Sequence, residues 1–164
     1  MDRVSQRLCP QEIELGLEAP NKWEALRAVG AMIERSQGLS GPVVFRALWR
    51  RELAASTGLG NGFAIPHARI TGIAEPVTVY VRTKAPVDFG APDDKPVSEL
   101  FVILVPADGP NAEHLKLLAL VAKLFSDGDF RVRLAAASDP NGVRSVFSQA
   151  IDEKHLGMTE ESSS

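Results

Sequence analysis

The chain has a single cysteine, Cys9, and this scarcity excludes a disulfide within the chain. A lone cysteine is normal in a reducing compartment, so a cytoplasmic setting is expected. Long apolar runs are also missing. No uninterrupted run exceeds Leu100–Val105, which has six residues, whereas a membrane helix needs about 20. The opening residues lack the apolar core of a signal peptide. We therefore expect a cytoplasmic protein with no membrane span.

Neither sign of charge dominates the composition. The 18 Lys and Arg residues stand against 21 Asp and Glu residues, for a net charge of −3. The absence of a basic surplus argues against nucleic acid as a partner. A length of 164 residues with 45% apolar content is sufficient for one domain with its own core. We expect residues 1–156 to form a single domain and residues 157–164 to form a disordered tail.

The hydrophobic pattern along the chain alternates between strand-like and helix-like. Alternation at Val77, Val79 and Val81 is typical of a half-exposed strand, and the continuous run Leu100–Val105 is typical of a strand covered on both faces. Residues 84–99 hold three prolines, which favours a loop or an irregular hairpin. Further strands are predicted at Ile13–Leu17 and Phe63–Ile65.

Polar residues that can cap helices precede the remaining segments. Helix starts are expected at Asn21, Ser40, Asn111, Asp129 and Asp139. The helix after Asn111 is expected to bury Leu115, Leu118, Ala122 and Phe125. The predicted element order is β-α-α-β-β-β-α-α-α. This order favours an α/β fold, a three-layer α/β/α sandwich with a mixed β-sheet.

The segment from Arg51 to Arg69, RELAASTGLGNGFAIPHAR, concentrates unusual chemistry. Its glycines allow positive φ angles and a close approach to a ligand. Pro66 restricts the backbone directly before His67. The pattern therefore predicts a shaped loop that presents one imidazole, although a turn-rich structural connection would have the same glycines. The glycines precede a short strand and no Gly-Lys-Ser/Thr follows, which excludes the Rossmann and P-loop motifs.

His114 is the second histidine of interest. It falls in the first turn of a predicted helix, where the helix dipole favours an anion; a purely structural role satisfied by the backbone is the alternative. His155 lies near the tail, and we assign it no role. No HExxH or CxxC spacing is present, so no metal or other cofactor is expected. Ser56 does not lie in a GxSxG elbow, which argues against a serine hydrolase.

The stretch STGLGNGFAIPHAR resembles the active-site signature of the fructose/mannitol-type enzyme IIA domains of the bacterial phosphoenolpyruvate-dependent phosphotransferase system. The preceding FRALWRRELAAST and the later VDFGAPDDKPVSELFVILVPAD and HLKLLALVAKLF extend the match over roughly Leu8 to Ile151. These later segments are most similar to the nitrogen-regulatory branch of the family. The resemblance implies a mixed sheet between helical layers, in agreement with the pattern above.

The resemblance also implies roles for particular residues. His67 matches the histidine that accepts a phosphoryl group on Nε2, Arg51 the arginine before the signature, and His114 the second histidine beside the first. The phosphoryl oxygens are expected to be held by Arg51 and by the glycine loop through Ser56, Thr57, Gly58, Gly60 and Gly62. Transfer between two histidines requires no metal. Ala68 stands where the regulatory branch often has Gly, and we expect this change to affect loop flexibility alone.

Three functions follow from these observations as hypotheses. The first is a phosphoryl-carrier regulatory protein of the nitrogen phosphotransferase system, loaded by a phosphorylated HPr-like carrier protein and acting on targets such as a potassium transporter or a sensor kinase. The second is a sugar-transport enzyme IIA that passes its phosphoryl group to an enzyme IIB. The third is a binding module that captures an anion or a partner without turnover.

Overall fold

Within residues 6–154, which are the residues that the computed structural model describes, six strands form one mixed sheet. The order across the sheet is β1-β5-β6-β3-β2, and β4 also pairs with β6. Strand β5 is parallel to β1 and antiparallel to β6, while β3 and β4 both run parallel to β6. The strands are β1 Glu12–Leu17, β2 Gly58–Gly60, β3 Phe63–Ala64, β4 His67–Ile70, β5 Val77–Val87 and β6 Val97–Pro106.

Helices cover both faces of this sheet. The helices are α1 Lys22–Gln37, α2 Gly41–Ala54, α3 Asn111–Phe125, α4 Gly128–Ala136 and α5 Pro140–Lys154. A hydrophobic core lies on each face of the sheet, between the sheet and its helices. Successive side chains of β6 point to opposite faces, so this strand contributes to both cores. Phe101, Ile103 and Val105 pack with α3, α4 and α5, whereas Leu100, Val102 and Leu104 pack with α1 and α2. The three-layer α/β/α sandwich is thereby confirmed, as is the burial of Leu100–Val105 on both faces.

Two short strands were missing from the predicted order, which the structure extends to β-α-α-β-β-β-β-β-α-α-α. Strand β2 consists of glycines and a leucine, and it pairs antiparallel with β3. Strand β4 begins at His67, so this histidine starts a strand rather than lying in a loop. Strands β2 and β4 have three and four residues, and they are defined by backbone pairing with β3 and with β6. Hydrophobic periodicity does not detect strands that are this short.

The predicted helix starts at Asn21, Ser40 and Asp139 are confirmed by side-chain bonds to the first turns. Two other capping residues are wrong. Helix α4 is capped by Asp127, which bonds the amide of Asp129 at 2.9 Å. Helix α3 does begin at Asn111, but Asn111 does not cap it, because the N-cap position is Pro110, which makes no side-chain bond, and the side chain of Asn111 accepts from Arg69.

The buried face of α3 also differs from the predicted stripe. Leu115 is 59% exposed, and the buried residues are Leu117, Leu120, Val121, Leu124 and Phe125. The sequence LKLLALVAKLF is apolar on most sides, so its periodicity did not specify one phase. The observed phase places His114 one turn before Leu117, at the end of the buried face.

The connection between β5 and β6 is an irregular hairpin, as predicted for residues 84–99. The pairing register shifts between Arg82 and Val87, and the chain leaves the sheet between Val87 and Val97. No helix in the described part of the chain is both long and apolar enough to cross a membrane. The predicted tail, residues 157–164, and His155 lie outside the described residues.

Candidate functional site

The end of α2, the start of β4 and the first turn of α3 meet at an open cleft of about 360 Å³. Strands β3 and β4 lie end to end along the same edge of β6, where Ala64 pairs with Leu100 and His67 pairs with Ile103 in one continuous register. This pairing places His67 at the floor between the two helices. The cleft is lined by Ala47, Arg50, Arg51, His67, Ala68, Arg69 and His114.

The orientation of the His67 ring is set by its own backbone neighbourhood. Its Nδ1 atom lies 2.8 Å from the carbonyl oxygen of Ile65. A carbonyl oxygen only accepts, so Nδ1 carries the proton and Nε2 holds the lone pair. Burial lowers the pKa of His67 below 6.5, and the nearby charge of Arg51 lowers it further. The ring is therefore neutral at pH 7, with Nε2 as its nucleophilic atom.

His114 faces His67 across the cleft. The ring centroids are 5.6 Å apart, and the ring planes meet at 66°. Burial lowers the pKa of His114, and the positive charge that His67 acquires on protonation and the charge of Arg69 lower it further. Its Nε2 atom is buried and has no hydrogen-bond partner within residues 6–154. A buried polar atom without a partner is uncommon, so this nitrogen keeps an unused capacity for a hydrogen bond beside His67.

Arg51 lies in the last turn of α2, where a cation interacts favourably with the helix dipole. Its Nη1 atom donates to the carbonyl oxygen of Ala55 at 2.7 Å, which holds the guanidinium beside the cleft. Together with Arg50 and Arg69, three guanidinium groups line the cleft, and the lining residues include no carboxylate. This electrostatic arrangement suits a phosphate-sized anion.

Glu52 organises the approach to this site, and the sequence analysis did not assign it a role. Its side chain is buried, and it accepts bonds from the backbone amide of Thr57 at 2.8 Å, the Thr57 hydroxyl at 2.6 Å and Lys22 Nζ at 3.2 Å. One signal could have revealed it. The buried stripe of α2 at Val44 and Leu48 continues to position 52 with a carboxylate in place of an apolar residue.

The two adjacent hydroxyls serve the loop itself. Ser56 Oγ donates to the carbonyl oxygen of Phe89 at 2.6 Å and accepts from the amide of Gly58 at 3.0 Å. Thr57 Oγ1 donates to Glu52. Neither residue lines the cleft that holds His67. Direct contact of Ser56 and Thr57 with phosphate therefore stays a prediction. In the structure, both hydroxyls form hydrogen bonds that hold the loop to the rest of the protein.

The glycines of the loop meet two different requirements. Gly60 and Gly62 have φ angles of +95° and +83°, which residues with side chains rarely adopt. Gly58 is required by space, because a Cβ atom there would lie 2.7 Å from the Cβ of Ala91. Asp93 accepts a bond from the amide of Asn61 at 3.0 Å, so the 88–96 hairpin supports the loop. Phosphate binding by Gly58, Gly60 and Gly62 stays a prediction.

The structure thus brings together three of the predicted site residues, His67, Arg51 and His114, and adds Arg50 and Arg69 to them. Within residues 6–154, no group of three or more His, Cys, Asp or Glu side chains is arranged to hold a metal ion. The groups at the cleft are one nucleophilic nitrogen, one unpartnered imidazole nitrogen and three guanidinium groups. They are suited to hold a phosphoryl group next to a nucleophile.

Comparisons with known proteins agree with this chemistry. Residues 8–150 match the family model described as phosphoenolpyruvate-dependent sugar phosphotransferase system, EIIA 2. The chain is 37% identical to a nitrogen regulatory protein of Pseudomonas aeruginosa over 138 residues. These residues make up 84% of this chain and 89% of that protein. It is also 37% identical to a fructose-specific EIIA component of Haloferax volcanii, over 65% of this chain and 68% of that protein.

A solved structure supports the same assignment. The nitrogen regulatory protein IIA-Ntr of Neisseria meningitidis superposes with a TM-score of 0.77 at 40% sequence identity, over 82% of this chain and 92% of that one. The family resemblance seen in the sequence is confirmed, and so is a part in phosphoryl transfer. The chain belongs to the EIIA 2 family of the phosphoenolpyruvate-dependent sugar phosphotransferase system.

Proposed function

We propose that this chain carries a phosphoryl group on Nε2 of His67 and acts as a regulatory phosphoryl carrier of the nitrogen phosphotransferase system. The observation that carries the proposal is the bond from His67 Nδ1 to the Ile65 carbonyl oxygen at 2.8 Å. It leaves Nε2 unprotonated in a cleft lined by three arginines. The nitrogen-regulatory relatives supply the regulatory part of the proposal.

The donor is a phosphohistidine on an HPr-like carrier protein. The Nε2 lone pair of His67 attacks phosphorus, a new P–N bond forms, and the P–N bond to the donor imidazole breaks. A donor ring that is protonated on its second nitrogen leaves as neutral imidazole. His67 keeps its own proton on Nδ1, so no proton crosses between the proteins. The Ile65 carbonyl oxygen stabilises the positive charge that the ring of His67 acquires.

The remaining groups of the cleft stabilise the phosphoryl oxygens. A loose phosphoryl-transfer transition state spreads charge over three oxygens, which planar guanidinium groups can bind in pairs. Arg51 is held beside the cleft by Ala55. His114 Nε2, which has no partner in the described residues, would donate to one oxygen when it carries the ring proton. The transfer is therefore a matter of position and charge.

Regulation follows from the charge of the product. A phosphoryl group adds roughly two negative charges to a cleft that otherwise presents three arginines. A partner that docks over the cleft would therefore distinguish the two states. We propose a potassium transporter or a sensor kinase as target. A cytoplasmic location belongs to the same proposal, since a lone cysteine is normal in that compartment.

Two other functions remain candidates. The fructose-specific relative favours a sugar-transport role, in which the phosphoryl group passes to an enzyme IIB. The cluster of arginines without a lining carboxylate would also serve a module that binds an anion without turnover. Both alternatives make different predictions for the same assay.

The test is incubation with a purified HPr-like carrier, enzyme I and labelled phosphoenolpyruvate. We expect one phosphoryl group per chain, labile in acid and stable in alkali, as in a phosphohistidine. His67→Gln should accept none and stay folded, whereas His155→Gln, the matched histidine variant, should load like the wild type. Label on His67→Gln would refute the assignment. No label on the folded wild type would favour the binding module. Rapid transfer onward to a sugar-specific enzyme IIB would favour transport.

A further inference from the structure

Arg69 has no assigned role, yet it shares the cleft with His67. Residues i and i+2 of a strand point to the same side about 6.6 Å apart. His67 and Arg69 stand in this relation on β4, while Ala68 and Ile70 between and after them are buried. Both His67 and Arg69 line the cleft. The guanidinium of Arg69 is therefore within side-chain reach of a group on His67.

Arg69 is held by an uncharged partner. Its Nη2 atom donates to the side-chain oxygen of Asn111, the first residue of α3. Among residues 6–154, no carboxylate forms an ion pair with Arg69. A guanidinium can bind a phosphate through two parallel hydrogen bonds that join opposite charges, whereas Asn111 offers it one neutral acceptor. An incoming phosphoryl group would consequently compete with Asn111 for Arg69.

The first turn of α3 has no side-chain cap of its own. Pro110 at the N-cap supplies no side-chain bond, and the amide of His114 lies 3.4 Å from the Pro110 carbonyl oxygen, a long bond. The same turn carries His114 toward the cleft and Leu115, which is 59% exposed, toward the surface. Release of Asn111 would therefore change both the second histidine and an exposed apolar side chain.

We propose that Arg69 is a phosphate-responsive latch. In the unphosphorylated protein it ties Asn111 to β4. When His67 carries a phosphoryl group, the guanidinium leaves Asn111 and binds the phosphoryl oxygens, and the first turn of α3 loosens. This proposal rests on the proposed function of His67 and adds the signal by which a partner distinguishes the two states. No covalent bond changes in this step, because a single hydrogen-bond donor exchanges acceptors.

Nuclear magnetic resonance of the full chain tests the latch. Phosphorylation can be achieved with the HPr-like carrier or with phosphoramidate, which transfers its phosphoryl group to histidine with loss of ammonia. In the wild type, we expect the backbone amides of residues 111–115 to shift on phosphorylation and the side-chain amide of Asn111 to lose its fixed partner. In Arg69→Gln, which retains a donor for Asn111 but lacks the charge, these shifts should fall at least threefold.

Two further variants make the result specific. Asn111→Ala should give the unphosphorylated protein amide shifts in residues 112–115 close to those of the phosphorylated wild type. Arg50→Gln, the matched variant, removes one arginine of the cleft without contact to Asn111 and should retain the response of α3. Equal α3 shifts in wild type and Arg69→Gln would overturn the latch. Failure of loading from the carrier would count against the proposed function, while phosphoramidate-loaded protein would still decide the latch.

Discussion

The buried carboxylate of Glu52 accepts two hydrogen bonds from Thr57, one from its backbone amide at 2.8 Å and one from its hydroxyl at 2.6 Å. Glu52 follows Arg51 at the end of α2, and Thr57 precedes the glycine loop. The contact therefore fixes the helix end that carries the arginine against the loop that leads to the histidine. Lys22 of α1 completes the arrangement by balancing the charge.

Glu52→Ala should lower the free energy of unfolding by about 2–4 kcal/mol. The substitution leaves the amide and hydroxyl of Thr57 without their buried acceptor and Lys22 without its partner. Urea denaturation followed by circular dichroism measures the change. Glu18→Ala is the matched control, because Glu18 pairs with Lys84 at 3.0 Å on the surface. That pair should contribute less than about 1 kcal/mol, and equal losses in both variants would contradict the prediction.

Arg51→Lys should slow phosphoryl transfer to His67 by about tenfold or more, because a point charge replaces a planar fork that binds two oxygens. Stability should change little, since Lys can still approach the carbonyl oxygen of Ala55. Rapid-quench measurement of label transfer gives the rate. Arg27→Lys, on the exposed side of α1, serves as the control. An unchanged transfer rate in Arg51→Lys would mean that Arg51 only stabilises the C-terminal end of α2 through its bond to Ala55.

The two histidines of the cleft should make stability depend on pH. Burial lowers the pKa of His67 and of His114 in the folded protein below the ordinary value of 6.5. As the pH falls below 6.5, the unfolded chain takes up protons that the folded chain excludes. Their contribution to the free energy of unfolding is therefore complete above pH 6.5 and declines below it. Urea denaturation of wild type and of the double variant His67→Gln/His114→Gln at several pH values measures the difference.

Proton titration of the imidazole signals provides an independent measurement of the same effect. Both midpoints should lie below 6.5 in the folded protein, and both should return to the ordinary value in urea. A midpoint above 6.5 for either ring in the folded state would contradict the structure-based prediction. The rate of phosphoryl acceptance should likewise persist at pH 6.5 and decline at lower pH, because protonation of Nε2 removes the nucleophile.

Gly58→Ala should destabilise the protein by about 1–3 kcal/mol, because the new Cβ would lie 2.7 Å from the Cβ of Ala91. The double variant Gly58→Ala/Ala91→Gly removes that contact and should recover part of the loss. The Cα of Ala91, at 3.0 Å from the new atom, prevents full recovery. Thermal unfolding of the single and double variants measures the coupling. Strict additivity of the two substitutions would show that the contact with Ala91 is not the cause of the loss.

Much of the fold was accessible from the sequence because the relevant signals are local. The caps at Asn21 and Ser40 follow from side chains that bond amides three residues away. The burial of Leu100–Val105 on both faces follows from an uninterrupted apolar run of strand length. Where several helix faces or several bonding partners were equally good locally, the prediction failed in part, as on α3, where Phe125 is buried as predicted but Leu115 is exposed. Asn111 illustrates the reason, since its side chain bonds Arg69 and not the first turn of its own helix.

The sequence by itself determined the chemical groups of this protein: a histidine behind a proline, glycines that permit positive φ angles, and an arginine at a helix end. These properties reside in single residues and their immediate neighbours. The tertiary structure alone decided which groups meet. The pairing of β4 with β6 and the return of α3 over the sheet place His114 beside His67 and Arg69 beside Asn111. Such contacts depend on strand register and helix packing, which arise from the whole core and are not encoded in any one segment.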